Sequence, residues 1–525
     1  MSTSRAAAFG TVLTVVTGLL QVVRPLVATD WPMWRRDSGR TAVSPDALPH
    51  PMRLQWTRQL RPVTPAYHSQ RLGFDTGHEP IVLGKTLFVA SSTNDRLTAL
   101  DVEDGRELWR FYADGPIRFA HVADEGRIWL GSDGGSLWCL DAKTGGAIWR
   151  FRAAPSTRKV LGNRRMISTW PVRGGPVLHG SKIYFAAGVF PFEGAFVYCL
   201  DAKSGEQIWV NDHTGFIYGQ QPHNAQGFGG LTPQGYLVVD EDHLVVPCGT
   251  AYPARFDLET GKLVDFALPR RGRFPGGWFA AVDRKAGRDL RRGRVKHDTA
   301  INQEKHEDKL QSGIGSAGVQ STIELAGKEV SFEESLPGVD GTIHSTLAAA
   351  ERLFVVTRDG ELHCFAEDER TPRRYSIDEA RVEKADDDSA KLARRILAYS
   401  NAQDGYAVVL GLENGRLVEE LAVRSRLHIL AFAENRDLVA RLRRRFDRAH
   451  LYGTRVSIFH ATEESLGLPP YFASLVTSES HVELRSSDDV HAIRRLLRPF
   501  GGVAALRLDE AARKAFAGIA SDDFR

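Results

Sequence analysis

The sequence predicts two fold classes in one chain. Residues 29–371 read as an all-β propeller of four-stranded blades, and residues 396–525 as an α/β domain. Three observations predict this. A turn of the form Asp-x-x-(Thr/Ser/Asp)-Gly recurs with its acid at Asp101, Asp141, Asp201 and Asp257. The strand after three of these turns ends in Trp109, Trp149 or Trp209. Beyond Ser376 the two-residue apolar period of strands gives way to alternating strand and helix patterns.

The chain begins with a targeting pattern. Arg5 precedes the uncharged stretch Ala6 to Val23, Arg24-Pro25 ends any helix there, and Leu26-Val27-Ala28 offers a small residue for cleavage. This predicts a secretory signal over residues 1–28. The same 18 residues are long enough for an uncleaved anchor. The whole chain has 525 residues and a formal charge of +3, and removal of Arg5 and Arg24 leaves 66 − 65 = +1. Near-neutral charge predicts no nucleic-acid partner. At 42% hydrophobic and 25% charged residues the composition excludes wholesale disorder and a multi-span membrane protein. The mature chain is expected in the periplasm or cell envelope, without a membrane span.

The repeat has a physical basis at each element. TLFVAS (86–91), RIWLGS (127–132), KIYFAA (182–187), HLVVPC (243–248) and RLFVVT (352–357) are β-branched and aromatic strands. In the following turn the Asp accepts backbone N–H bonds and the Gly adopts positive φ. The recurring Trp is expected between adjacent units. Asp265 replaces it in the fourth copy, and the fifth copy (353–366) lacks the Asp turn. About five blades are expected, without a late strand to complete the ring. The resulting open strand edge, or a propeller face, would take a protein partner. Cys139, Cys199 and Cys364 occupy equivalent positions, too far apart to bridge, and read as small core residues.

The motif Leu-Asp-Ala-Lys-(Thr/Ser)-Gly with Ile-Trp, and the opening Trp31 to Gly39, resemble the pyrroloquinoline-quinone-type propeller repeat. That family includes non-enzymatic propellers related to the outer-membrane assembly lipoprotein. For a quinone dehydrogenase the resemblance implies an adjacent Cys-Cys pair or a comparable platform. No such pair exists here, which points away from pyrroloquinoline quinone as cofactor. Residues 284–335 interrupt the repeat and are expected to form a polar surface loop that returns to strands near its end. His297 and His306 lie in it at no standard metal-ligand spacing, so no metal site is predicted. Gly215 to Gly230, rich in Gly, Gln, Asn and aromatics, is expected as a long irregular loop and candidate ligand surface.

Residues 372–395 are expected as a helical linker running into residue 400. The strands AVVL (407–410), LHILAF (427–432), RVSIF (455–459), YFASLVTSE (471–479) and GGVAALRL (501–508) then alternate with helices. That order argues for a parallel sheet with right-handed crossovers. The Rossmann-like segment, through VLGLENGRLVEELA and RRLLRPFGGVAAL, resembles a class I S-adenosylmethionine-dependent methyltransferase. The resemblance implies cofactor contacts at Gly411, Glu413, Gly415 and Glu434. It departs from the family where Glu413 replaces the middle glycine, where the acid before the loop falls on Val409, where the ribose acid falls on Ala433 with Glu434 one place late, and where the adenine acid falls on Thr462 with Glu463 one place late. No catalytic motif follows the fourth strand, where Thr477-Ser478-Glu479 stand. About five strands are visible against the family's seven, so the resemblance implies an incomplete module with a degenerate cofactor site. The basic run Arg441 to Arg445 reads as a solvated helix face.

Three functions stay open at this stage. The first is an exported binding or scaffold propeller. The second is a methyltransferase that uses the propeller to recognise substrate, with S-adenosylmethionine as cofactor. The third and weakest is a quinone-dependent dehydrogenase. No catalytic residue is assigned.

Overall fold

The computed structural model describes residues 29–66, 74–221, 224–249, 251–266, 322–332, 338–377, 384–460, 466–482 and 486–510, with short pieces at 268, 278, 280–282, 295–297, 336, 382 and 512–514. The expected signal, most of the loop expected at 284–335, His306, Thr462 and Glu463 lie outside the described residues.

Six blades surround one axis. The first has strands Ile81–Leu83, Thr86–Ser91, Arg96–Asp101 and Glu107–Tyr112. The second runs through Val122–Asp124, Arg127–Gly131, Ser136–Asp141 and Ala147–Arg152. The third has Gly174–His179, Lys182–Ala187, Phe196–Asp201 and Gln207–Asn211. The fourth has Val238–Asp240, His243–Val246, Ala254–Asp257 and Leu263–Asp265. Ala280–Val282, paired with Val295–His297, takes the fifth position beside Val238–Asp240.

The sixth blade corrects the expectation of about five blades with an open edge. Ile343–Ala349, Arg352–Thr357 and Glu361–Ala366 are joined by Arg53–Gln59 from the start of the chain. That strand pairs antiparallel to Glu361–Ala366, with Trp56 opposite Cys364, and closes the ring. Local pattern could not reveal this, because the partners lie some 300 residues apart and Trp56 has no Asp-Gly turn before it. Arg373–Tyr375 adds a parallel strand outside Arg53–Gln59. All four cysteines are buried and free.

The recurring Trp and Gly are one device. Trp56, Trp109, Trp149 and Trp209 stand on the outer strand of one blade and lie over the turn glycine of the next, at Gly105, Gly145, Gly205 and Gly261. Each indole N–H donates to a turn carbonyl there, at Val102, Ala142, Lys203 and Leu258. A Cβ at Gly145 would sit 2.4 Å from the Trp109 ring, and its φ is +72°. Gly145→Ala is therefore expected to cost about 3 kcal/mol in urea unfolding, from steric overlap plus left-handed backbone. Gly126 has a φ of +75° with open space around it. Gly126→Ala should cost only about 1 kcal/mol.

The C-terminal domain has helices α1 Asp388–Ser400, α2 Arg416–Arg424, α3 Arg436–Arg448 and α4 Ser487–Leu496. Its strands are β1 Tyr406–Leu410, β2 His428–Ala433, β3 Val456–His460, β4 Ala473–Val482 and β5 Val503–Leu508. They form one parallel sheet in the order β3-β2-β1-β4-β5. Helix α1 starts at Asp388, capped by Asp387 accepting from the Ala390 N–H, rather than near residue 376. Ala393, Ile396 and Leu397 pack in the same core as the sheet, so the expected boundary at 395–396 falls inside this helix.

The two halves pack directly. The loop at Gly453 meets the Thr93 carbonyl so closely that a Cβ would lie 1.9 Å from it. The Lys159 N–H donates to the Gly467 carbonyl at 2.7 Å. Asp447, on α3, accepts from Asn94, Arg96 and Tyr112 of blade 1 at 2.7–2.8 Å, with Arg61 at 3.5 Å.

Candidate functional site

Propellers place function on the axis or on a face. Residues 31–44 run across the inner edges of the blades. Trp31 exchanges backbone hydrogen bonds with Val82, the Ala123 N–H donates to Pro32, and the Val239 N–H donates to Ser38. Arg40 is fully buried, and its guanidinium donates to the carbonyls of Trp34, Pro176 and Leu237. Trp34 lies flat on Tyr236, centroids 4.1 Å apart and planes within 5°. Trp278 is 5.7 Å from Trp34, and Phe119 meets Tyr236 edge-on at 5.1 Å. Aromatic side chains from several blades thus fill the middle.

Beside them runs a buried ion chain. Arg118 donates to Asp75 at 2.5 Å and to Asp133 at 2.6 Å, and Asp133 accepts two 2.9 Å bonds from Arg173. All four side chains are at most 3% exposed. Burial pushes Asp133 up, but its two arginines outweigh that and hold it down at about 2. At Asp75, with one arginine in contact, burial wins and the pKa is raised. Burial, with Asp75 nearby, pushes Glu79 well up. Burial pushes His344, 3.8 Å from Glu79, down to about 3.

Among the described residues, the ring stack at the axis offers no open slot for a quinone. Trp34 on Tyr236 leaves no gap for another ring. The two cavities beside them measure about 10 and 20 Å3, room for single waters. A small-molecule pocket takes roughly 300 Å3 or more. No group of three metal-ligating side chains occurs among the described residues.

The second candidate is the glycine loop after β1. Gly411 and Gly415 hold φ of +56° and +75°, and Glu413 is exposed between them. Glu434 is exposed just beyond β2, at the same end of the sheet. The structure thus brings all four expected residues to the C-terminal edge of adjacent strands, where open parallel sheets bind ligands. Sequence reasoning missed the residue that fills the loop. The Glu479 carboxylate, 4% exposed on β4, accepts from the N–H groups of Glu413, Asn414 and Gly415 at 2.8–3.1 Å through one oxygen. Its other oxygen accepts from Leu417 at 3.0 Å. The Arg441 to Arg445 run is not simply solvated: Arg443 donates to Ile458 and Tyr112, and Arg445 pairs with Glu419.

The third candidate is a surface. Gly215 to Gly230 is a hairpin rather than an irregular loop, with strands Phe216–Gln220 and Gln226–Gly230 and Tyr218 opposite Phe228. Phe216 and Tyr218 stand two residues apart and Tyr218 faces Phe228, so the period-two spacing of the rings was the signal that could have shown a ribbon. Phe216, Tyr218 and Phe228 are 54%, 61% and 65% exposed and pack on one another. The short turn Pro191–Glu193 lies against this ribbon and carries Phe192, 73% exposed.

Fold and axis together define a six-bladed β-propeller joined to a parallel α/β domain. Residues 27–182 match the family model described as outer membrane protein assembly factor BamB. The chain is 26% identical over 145 residues to the dehydrogenase subunit of a quinone alcohol dehydrogenase from Gluconobacter oxydans (strain 621H). That match covers 25% of this chain and only 18% of the relative. Among solved structures, BamB from Moraxella catarrhalis aligns at TM-score 0.30 and 13% identity, over 55% of this chain and 71% of its own. A structure described as an S-adenosyl-L-methionine-dependent methyltransferase of Methanococcus maripaludis aligns at TM-score 0.22 and 18% identity, over 25% and 61%. No described helix is long and apolar enough to cross a membrane.

Proposed function

We propose that this chain is an exported scaffold propeller that binds another envelope protein, and that its methyltransferase-like module carries no donor chemistry. The observation that carries the reading is the aromatic ribbon. Phe216, Tyr218 and Phe228 form a contiguous apolar surface of the kind that marks a protein contact, with exposed Phe192 on the turn beside it. Among the described residues the ribbon has two strands, and an outer strand edge suits an extended segment of the partner. Pairing along that edge with apolar side chains over the rings satisfies both features. The signal pattern and the BamB-type repeats of residues 27–182 support export.

The test is a photo-crosslinking residue in place of Tyr218 in the full chain, expressed in its own cell envelope. One discrete crosslinked protein is expected. It should be lost on Phe216→Ser with Phe228→Ser, and be absent when the crosslinker replaces Tyr399, which is 68% exposed on the α/β domain. Melting should change little, because these side chains are exposed. Equal crosslinking from both positions would sink the reading.

A further inference from the structure

We infer that Glu479 is a built-in carboxylate ligand of the glycine loop, so that the ligand crevice of the α/β domain is closed by the chain's own anion. In an open parallel sheet, the N-terminus of the helix after β1 offers free N–H groups to an anionic ligand. Helix α2 has Gly415 at its N-cap in left-handed conformation and no side-chain cap of its own. Helices α1, α3 and α4 are capped by Asp387, Asn435 and Ser486 from their own N-terminal turns. Four N–H groups of the α2 loop, at residues 413, 414, 415 and 417, converge instead on one carboxylate from another strand. That is the hydrogen-bond set an incoming carboxylate or phosphate would need.

A second observation shows the crevice closed by backbone. β4 runs on past the end of β1, and Ser480 donates to the Gly411 carbonyl through both its N–H, at 2.9 Å, and its hydroxyl, at 2.8 Å. A Cβ at Gly411 would lie 2.3 Å from that hydroxyl. The Arg507 guanidinium donates to the Glu479 carbonyl at 2.7 Å and holds this part of β4 in place. The loop glycines therefore admit the body of β4, and the carboxylate it carries occupies the nest. The consequence is that S-adenosylmethionine and free anions are rejected until the Glu479 charge is removed.

The inference rests on crevice geometry and is independent of the ribbon, so crosslinking can fail while it stands. Its test uses the full chain as wild type, Glu479→Ala and Glu479→Gln. Calorimetric titration with inorganic phosphate and, separately, S-adenosylmethionine should give no binding heat for wild type. Glu479→Ala should bind at least one of them about tenfold tighter or more, the scale of a charged hydrogen-bond set. Phosphate binding alone would identify a plain anion nest, and S-adenosylmethionine binding alone a crevice that still accepts the nucleoside. Added acetate, against chloride at equal ionic strength, should raise the melting midpoint of Glu479→Ala and leave wild type unmoved. Glu479→Gln keeps the side-chain size and should respond in the same way to a smaller degree, which serves if the alanine variant does not fold. Binding of S-adenosylmethionine by wild type as tightly as by the variants overturns the inference. So does a folded variant that answers neither anions nor acetate.

Discussion

Asp133→Ala is expected to lower folding stability by about 3–5 kcal/mol, read as the shift in guanidinium unfolding of the full chain. The substitution removes the carboxylate that Arg118 and Arg173 share, and both guanidiniums are nearly water-free. A buried cation without its partner is costly, whereas the intact chain of four charges is roughly neutral relative to apolar packing. The pH dependence has a definite sign. Asp133 is held at about 2 in the folded protein, below its unfolded value near 4. Its contribution is complete above pH ~4 and is lost as pH falls toward 2. Subtracting the Asp133→Asn acid-unfolding curve from that of wild type should isolate this window. A loss below about 1 kcal/mol for Asp133→Ala would show that water or rearrangement reaches the arginines.

Asp447→Ala is expected to uncouple the two halves of the molecule. Its carboxylate, 2% exposed, is the common acceptor for Asn94, Arg96 and Tyr112 and lies near Arg61 and Arg110. Burial pushes its pKa up, but Arg96 and the other donors outweigh that and lower it, so it is charged at neutral pH. Without it three arginines crowd one interface and the α/β domain loses about 3 kcal/mol of docking. The chain supplies its own probes. All ten Trp lie at or before Trp278, in the propeller, while helices α1 to α4 all lie beyond residue 387. Trp fluorescence therefore follows the propeller, and the helical circular dichroism signal follows the α/β domain. The two melting curves should draw apart in Asp447→Ala, the helical one moving to lower temperature. Coincident shifts of both would show that Asp447 stabilises a single cooperative unit.

How much was legible differs between the two halves. In the propeller the turn acids, the turn glycines and Trp109, Trp149 and Trp209 lie within about ten residues of one another in each copy. Their physics is local: an Asp-capped turn, a positive φ, a strand of period two. The missing indole at Asp265 was visible for the same reason. The aromatic ribbon was half visible, because its rings read as a loop until Tyr218 was paired with Phe228 across strands. In the α/β domain the candidate residues Gly411, Glu413, Gly415 and Glu434 were found because the loop pattern is local too. Glu479 stood in plain view at the end of the fourth strand, but nothing near it in sequence says where its carboxylate points.

The sequence by itself determined the repeat, the change to alternating strands and helices, and the inter-blade place of the tryptophans. Each of these follows from side-chain period and backbone preference over short windows. Only the tertiary structure decided that Arg53–Gln59 closes the ring, that residues 31–44 and Trp34 fill the axis, and that Glu479 fills the glycine loop. In each case a group from a distant part of the chain satisfies hydrogen bonds or covers rings that local structure leaves open. Which distant group does so depends on the path of the backbone, a property that no short window of sequence contains.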